Sequence, residues 1–179
     1  MNFIQKHYFN KQLFGFINRR QNEQVKLSKF DALHTVCVFA TFQGDESFKN
    51  LMQSIACLER KNKKVSLIMY VNQPTIPAII ENKSNICVIT KKDINFAGHV
   101  KSVLYDKLVK HHYDLFIDTD TVSEKSTLYL KALIHASLRT GRNQQYCNYY
   151  DLTLCVDDTY TVNEYISNLE IYISKLQGN

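Results

Sequence analysis

Two carboxylates one residue apart, Asp118 and Asp120, are the side chains of this sequence whose type and spacing could support chemistry. They follow residues 113–117, a short apolar run typical of a buried strand. Open α/β sheets bind ligands at the carboxyl ends of their strands, so the pair is predicted to face a ligand site. Carboxylate oxygens are hard ligands, and at this spacing they suit Mg²⁺ or Mn²⁺.

Three interpretations of the pair remain open. An Asp-x-Asp after an apolar strand resembles the motif with which glycosyltransferases hold a divalent metal on a nucleotide sugar. It also resembles the strand-end aspartates of haloacid-dehalogenase phosphatases, with Asp118 as nucleophile and Asp120 as acid, although the chain is short for either enzyme. In the third interpretation these side chains only turn the chain and cap a helix that begins near Ser123 and Glu124.

Other polar side chains also follow predicted strands and are candidate ligand contacts. Guanidinium groups bind phosphates or carboxylates as a fork, whereas lysines act as point charges. The candidates are Asp45, Asn72, Lys91, Lys92, Arg139 and Arg142. Five strand-end residues, Asp45, Asn72, Lys91, Asp118 and Arg142, are expected to gather at one edge of the sheet. The chain has no Gly-x-Gly-x-x-Gly and no P-loop sequence, which excludes the usual forms of dinucleotide and P-loop phosphate binding.

The elements that position these residues alternate along the chain. Apolar runs predict strands at residues 34–40, 65–71, 86–89, 113–117 and 152–156, and a short strand or turn at 137–142. Helical spacing predicts helices at residues 47–60, 100–111, 124–136 and 162–176, with a shorter one at 77–82. This alternation predicts a three-layer, doubly wound α/β fold on a mostly parallel, Rossmann-like sheet.

The positive charge of the protein is concentrated at its N-terminus. Residues 1–30 carry six basic side chains and one acidic one, while the rest of the chain is balanced. We therefore divide the chain into a basic arm, residues 1–30, and one α/β domain, residues 31–179. The neutral domain disfavours nucleic-acid binding. The arm has the apolar spacing of an amphipathic helix, so residues 1–24 are candidates for peripheral membrane contact, for packing on their own domain, or for contact with a second copy.

The cysteines argue against a metal centre or a disulfide framework. There are five, and none forms a Cys-x-x-Cys or Cys-x-x-His pair. No apolar stretch approaches the roughly 18–20 residues that span a bilayer, and no signal peptide is visible. We expect reduced thiols in a cytoplasmic protein and no cofactor, with Mg²⁺ or Mn²⁺ as the alternative.

Several short segments together resemble a family of small Bacteroidota proteins of about this length and of unknown function. The matching features are the basic N-terminal helix, residues 91–95 followed by Gly98, and segments 113–118, 136–142 and 150–154. In that family the strand is followed by apolar or hydroxyl residues in place of a second aspartate, which weakens the metal interpretations of Asp120. The resemblance implies no known reaction.

The sequence therefore predicts a small α/β module that binds a small anionic ligand or a protein partner and has no demonstrated catalysis. The alternative is a metal-dependent enzyme acting on a phosphate or nucleotide sugar through Asp118 and Asp120. A further alternative is a module anchored to a membrane surface or a partner by its N-terminal helix.

Overall fold

Six parallel strands in the order β3-β2-β1-β4-β5-β6 form the sheet. The computed structural model describes residues 15–18, 25, 28–81, 85–95, 99–121, 125–142, 148–155 and 160–176, with only the backbone at 125 and 126. The strands are β1 (Thr35–Thr41), β2 (Lys64–Val71), β3 (Ile86–Thr90), β4 (His112–Asp118), β5 (His135–Gly141) and β6 (Leu152–Thr153). The α-helices are α1 (Asp45–Arg60), α2 (Ala78–Glu81), α3 (Ser102–Val109), α4 (Lys125–Ala132) and α5 (Val162–Lys175).

Apolar side chains on both faces of the central strands explain why helices cover the sheet on two sides. All five inner residues of β1 are buried, as expected for a strand covered on both faces. Helices α1, α2 and α5 contribute to the core on one face. Helices α3 and α4 contribute to the core on the other. This arrangement confirms the predicted three-layer, doubly wound fold.

The order of the strands places a topological switch point between β1 and β4. From β1 the chain proceeds outwards to β2 and β3, then returns to the other side of β1 and continues outwards to β5 and β6. The connections after β1 and after β4 therefore diverge, and they leave a crevice at the carboxyl ends of these two strands. This crevice is where the fold can position a site.

Two aspartates fix β4 against β1 at opposite ends of the pair. At the amino end, Asp114 Oδ2 accepts hydrogen bonds from the backbone N–H groups of His34 and Thr35 at 2.8 Å, and from Thr35 Oγ1 at 3.0 Å. At the carboxyl end, Asp120 accepts the backbone N–H of Thr41 at 2.7 Å and its hydroxyl at 2.8 Å. The alignment of the two strands at the switch point is thus held by side chains as well as by backbone bonds.

The region after α4 differs from the sequence prediction. A helix was predicted to continue to residue 136, but α4 ends at Ala132 and a full strand begins at His135. The guanidinium of Arg139 donates to the carbonyl oxygens of Ile134 at 2.5 Å and Lys131 at 2.8 Å. Those carbonyls lie at the end of the helix, where a cation is stabilising. The prediction of a continuous helix was wrong because this contact comes from a residue of the following strand.

The described part of the N-terminal arm packs on its own domain. Residues 15–18 are helical. Phe16 and Ile17 pack against the core to which α3 and α4 contribute. The ring of Phe16 lies 5.0 Å from that of Tyr149. Most of the predicted helix over residues 1–24 lies outside the described residues, and membrane contact by that segment stays a prediction. Among the described helices, none is both long enough and apolar enough to cross a bilayer.

We expect Asp114→Asn to lower the free energy of unfolding by about 1 kcal/mol at neutral pH and by less in acid. Partial burial alone would raise the pKa of Asp114, but hydrogen bonds from Thr35 and His34 lower it below its ordinary value of 3.8. A carboxyl with a lowered pKa contributes stability above its unfolded-state pKa, and that contribution is lost as the pH falls through the folded-state pKa.

Urea unfolding of the wild type and of Asp114→Asn at pH 7 and near pH 3 measures this difference. The gap between the two proteins should narrow in acid. Asp106→Asn, at an exposed position of α3, is the control and should show no gap at either pH. A gap for Asp114→Asn that stayed constant with pH would contradict the prediction.

Candidate functional site

The paired aspartates lie where β4 ends, at the switch point. Asp118 is the last residue of the strand and is fully buried, and Asp120 is 8% exposed. Between them, Thr119 donates its backbone N–H and its hydroxyl to the carbonyl oxygen of Phe39, each at 3.0 Å. These bonds hold the turn after β4 against β1.

A buried lysine lies between the two carboxylates. Lys131 of α4 places its Nζ 2.7 Å from Asp118 Oδ2 and 2.9 Å from Asp120 Oδ2. Its side chain is completely buried, and Nζ is also 4.9 Å from the centroid of the Phe39 ring. We call Asp118, Asp120 and Lys131 the ion cluster. An ammonium group thus occupies the position between the carboxylates where the sequence analysis considered a divalent metal.

Each carboxylate oxygen of the ion cluster has a hydrogen-bond donor. Asp118 Oδ1 accepts the backbone N–H of Asp120 at 3.1 Å, and Asp118 Oδ2 also accepts the hydroxyl of Tyr150. Both oxygens of Asp120 are bound by Thr41, as described above. Buried charges are tolerated when they are paired and fully hydrogen-bonded, and this cluster meets that condition.

Tyr150 reaches Asp118 across a glycine. A Cβ placed on Gly141 would lie only 2.5 Å from the ring of Tyr150. Glycine at the end of β5 therefore lets this ring lie directly over the backbone. The neighbouring Tyr149 fixes the same segment, because its hydroxyl donates to the carbonyl oxygen of Leu128 in α4 at 2.7 Å.

The electrostatics of the ion cluster follow from burial and from its unequal charges. Burial raises the pKa of Asp118, and Lys131 opposes that effect. Burial alone would lower the pKa of Lys131, but Asp118 and Asp120 together raise it above its ordinary value. Burial and the adjacent charge of Asp118 raise the pKa of Tyr150, so this hydroxyl stays protonated and can donate. Two carboxylates share one ammonium, which leaves a formal charge of −1.

These contacts revise the third interpretation of the pair, in which Asp118 and Asp120 only turn the chain and cap a helix. The bond from the backbone N–H of Asp120 to Asp118 does turn the chain locally, as that interpretation expected. The proposed cap at Ser123 and Glu124 lies outside the described residues. The remaining contacts join β4 to β1, to α4 and to Tyr150, so the pair connects elements that are distant in sequence rather than serving only its own turn.

A cavity of about 750 Å³ opens beside the ion cluster, and we call it the switch-point cavity. Its base includes the apolar side chains of Phe42, Phe48, Leu51 and Met69. One wall comes from the start of α1 and the loop before it. The opposite wall comes from the ends of β4 and β5 and the start of α5. Asp120 is the member of the ion cluster that reaches this cavity.

The structure places the five strand-end residues at one edge of the sheet, as the sequence analysis expected, but it does not bring all the candidate contacts to the cavity. Asp45, Asn72, Lys91, Lys92, Asp118 and Arg142 all lie at the carboxyl edge, because each ends or follows a parallel strand. Of the eight candidates, Asp120 and Arg142 line the switch-point cavity. Asn72, Lys91 and Lys92 are exposed and do not line it; they follow β2 and β3, which lie on the other side of β1 from β4.

The two arginine candidates have different surroundings. Arg142 is 7% exposed; its Nη2 donates to the carbonyl oxygen of Tyr160 at 2.9 Å, and its guanidinium lies over the ring of Tyr165. Arg139 is in the interior of β5 and 1% exposed, and its guanidinium lies over the ring of Phe116. Arg139 therefore holds the end of α4 and lies outside the switch-point cavity.

Sequence reasoning missed Lys131, which is the centre of the site. A signal was present, because Lys131 shares a helix face with Thr127 and Leu128, both of them buried. A lysine on the buried face of a helix that closely follows two aspartates is a candidate partner for them. The wall of the cavity formed by Gln43, Glu46, Ser47 and Asn50 was also missed, since these look like ordinary exposed helix residues.

We expect Lys131→Met to lower the free energy of unfolding by about 3–5 kcal/mol, because it leaves two buried carboxylates without a counter-ion. Lys107→Met, at an exposed position of α3, is the matched control and should change stability by less than about 0.5 kcal/mol. Urea unfolding at neutral pH measures both variants. Equal stability of the two variants would show that the ion cluster does not hold the fold.

The fold resembles that of a solved glycosyltransferase. The structure titled E. coli heptosyltransferase WaaC with ADP matches with a TM-score of 0.51 and 10% sequence identity. The match covers 80% of this chain and 48% of the heptosyltransferase chain, so this protein spans about half the length of that enzyme. At this identity the likeness concerns the fold alone.

Sequence comparison identifies the family. A search among curated proteins found no match. A family model matches residues 2–176, which is nearly the whole sequence. The chain belongs to DUF6913, a family of unknown function.

Proposed function

We propose that the protein is a binding module for a small polar molecule and that its site is the switch-point cavity. The observation that carries this proposal is the coincidence of the cavity with the point where the strand order reverses. In open α/β sheets, ligands bind in the crevice at that point. A volume of about 750 Å³ is also within the usual range for small-molecule sites.

The lining of the cavity supports binding of a small molecule. Ligand sites combine apolar surface with a few polar groups that fix orientation. Here the apolar lining includes the half-buried Phe42 with the mostly buried Phe48 and Met69, and the ends of β4 and β5 contribute Asp120 and Arg142. Because these polar residues are held by Thr41, Lys131 and Tyr160, the wall they form is rigid.

We further propose that binding needs no divalent metal. The oxygens of Asp118 and Asp120 already have donors, and Lys131 supplies the positive charge that a metal would bring. A metal could enter only by displacing a buried ammonium from two short contacts. Within the described part of the chain, no group of three or more His, Cys, Asp or Glu side chains is placed to hold a metal ion.

The enzymatic alternative acts on a phosphate or nucleotide sugar with Asp118 and Asp120 holding Mg²⁺ or Mn²⁺. The heptosyltransferase of similar fold was solved with ADP, which places nucleotides among the compounds to be tested. The contacts of Lys131 count against this alternative, because they use the same carboxylate oxygens that a metal would need.

Metal addition separates the two proposals. A metal ion that binds only the folded state must raise the melting temperature. Because we propose no metal site, we expect millimolar MgCl₂ or MnCl₂ to leave the melting temperature of the wild type unchanged. Asp120→Asn serves as the comparison and should respond to metal no differently from the wild type. A metal-dependent rise in the wild type that disappears in Asp120→Asn would establish the metal site and reject the proposal.

Blocking the cavity tests the location of the site. Ser47 is exposed at the lip of the cavity, so Ser47→Trp should fill the opening without disturbing the core. Lys49→Trp adds the same side chain at an exposed position of α1 outside the lining. Thermal shift against sugars, nucleosides, nucleotides and nucleotide sugars should reveal compounds that stabilise the wild type and Lys49→Trp but not Ser47→Trp.

Two results would contradict this location. One is a compound that stabilises Ser47→Trp as strongly as the wild type, because it must bind elsewhere. The other is a complete lack of stabilisation by the panel, which would remove the basis for a small-molecule site.

A further inference from the structure

The wall of the switch-point cavity formed by α1 presents a row of hydrogen-bonding side chains. Asn50 lies four residues after Glu46 and three after Ser47, so its side chain neighbours both on the helix surface, and Gln43 precedes them. All four are exposed, and the structure shows no hydrogen bond made by their side chains within the described part of the chain. A carboxylate, a hydroxyl and two amides supply both donors and acceptors at this wall.

The charge around the cavity is negative on balance. Among the described residues of the lining, Glu46 and Asp120 are acidic and Arg142 is basic. Behind Asp120, the ion cluster adds Asp118 and Lys131, whose charges cancel. Arg142 is covered, whereas Glu46 is exposed, so the charge most accessible to a ligand is negative.

The start of α1 carries further negative charge. Helix N-termini attract anions through the helix dipole, but Asp45 and Glu46 stand in the first turn here. Their carboxylates offset the positive end of the dipole. A phosphate entering the cavity would therefore meet like charge at the position where many α/β proteins offer it a favourable one.

We propose that the ligand is a neutral ring compound with neighbouring hydroxyl groups, such as a sugar or the ribose of a nucleoside, and not a phosphorylated compound. This inference rests on the proposed function. Gln43, Glu46, Ser47 and Asn50 bind the hydroxyl groups. The half-buried ring of Phe42, which lies 6.3 Å from the buried ring of Phe48, packs against the less polar face of the ligand ring.

Isothermal titration calorimetry with two matched pairs of probes tests the inference. The pairs are glucose with glucose 1-phosphate, and adenosine with AMP, and they also distinguish the two sources of a hydroxylated ring. In at least one pair the neutral compound should bind on the order of tenfold more tightly than the phosphorylated one at low salt. We call the quotient of their two dissociation constants the affinity ratio, and it should shrink in high salt as the charges are screened.

Glu46→Gln removes the accessible charge and keeps a hydrogen-bonding group. It should raise the affinity for the phosphorylated member of each pair and so lower the affinity ratio between the neutral and the phosphorylated compound. Glu59→Gln makes the same change at an exposed position of α1 outside the lining, and it should leave the ratio unaltered.

The inference would be overturned if the phosphorylated member bound more tightly in every pair that binds and if Ser47→Trp blocked that binding. The proposed function would then stay in place. A ratio unchanged by Glu46→Gln would also overturn it. If none of the four probes binds and the wider panel gives no stabilisation, the inference and the proposed function are both rejected.

Discussion

The contact of Lys131 with Asp118 and Asp120 is the interaction on which the carboxyl edge of this sheet depends. Two buried carboxylates next to each other repel, and burial makes that repulsion stronger than it would be in water. One ammonium at 2.7 and 2.9 Å compensates both, at the cost of removing three charges from water. Because Lys131 belongs to α4, the charge balance of β4 is satisfied only when that helix is packed in place.

The same carboxylates also determine the shape of the crevice. Asp120 binds both the backbone and the hydroxyl of Thr41, which holds the end of β1 next to the turn after β4. The connections that follow these strands then diverge, α1 towards one face of the sheet and α4 towards the other. The cavity lies between the start of α1 and the start of α5, at the carboxyl ends of β1, β4 and β5. The ion cluster and the exposed wall of α1 beside it are the features on which the proposed small-molecule site rests.

The sequence predicts the features of this structure that depend on residues close together in the chain, and it misses those that depend on contacts between distant residues. The apolar runs of β1 and β4 and the helical spacing of Phe48, Leu51 and Ile55 are local patterns, and they predict the fold. The end of α4 is determined by Arg139 from the next strand, and the sequence placed it four residues too late. The side-chain partners of Asp118 are Lys131 and Tyr150. The position of Lys131 on a buried helix face makes it a candidate partner, but no local pattern connects Tyr150 to Asp118.

An Asp-x-Asp pair at a strand end has no fixed chemical meaning, because its role is decided by the source of the neutralising cation. If no basic side chain reaches the carboxylates, a divalent metal can neutralise them and make them available for chemistry on a phosphate. In this protein a lysine reaches them from the buried face of α4, so the same two residues become part of the packed interior. Among the described residues that line the cavity, the exposed charge is that of Glu46 on α1, and the binding that we propose therefore depends on this wall rather than on the Asp-x-Asp motif.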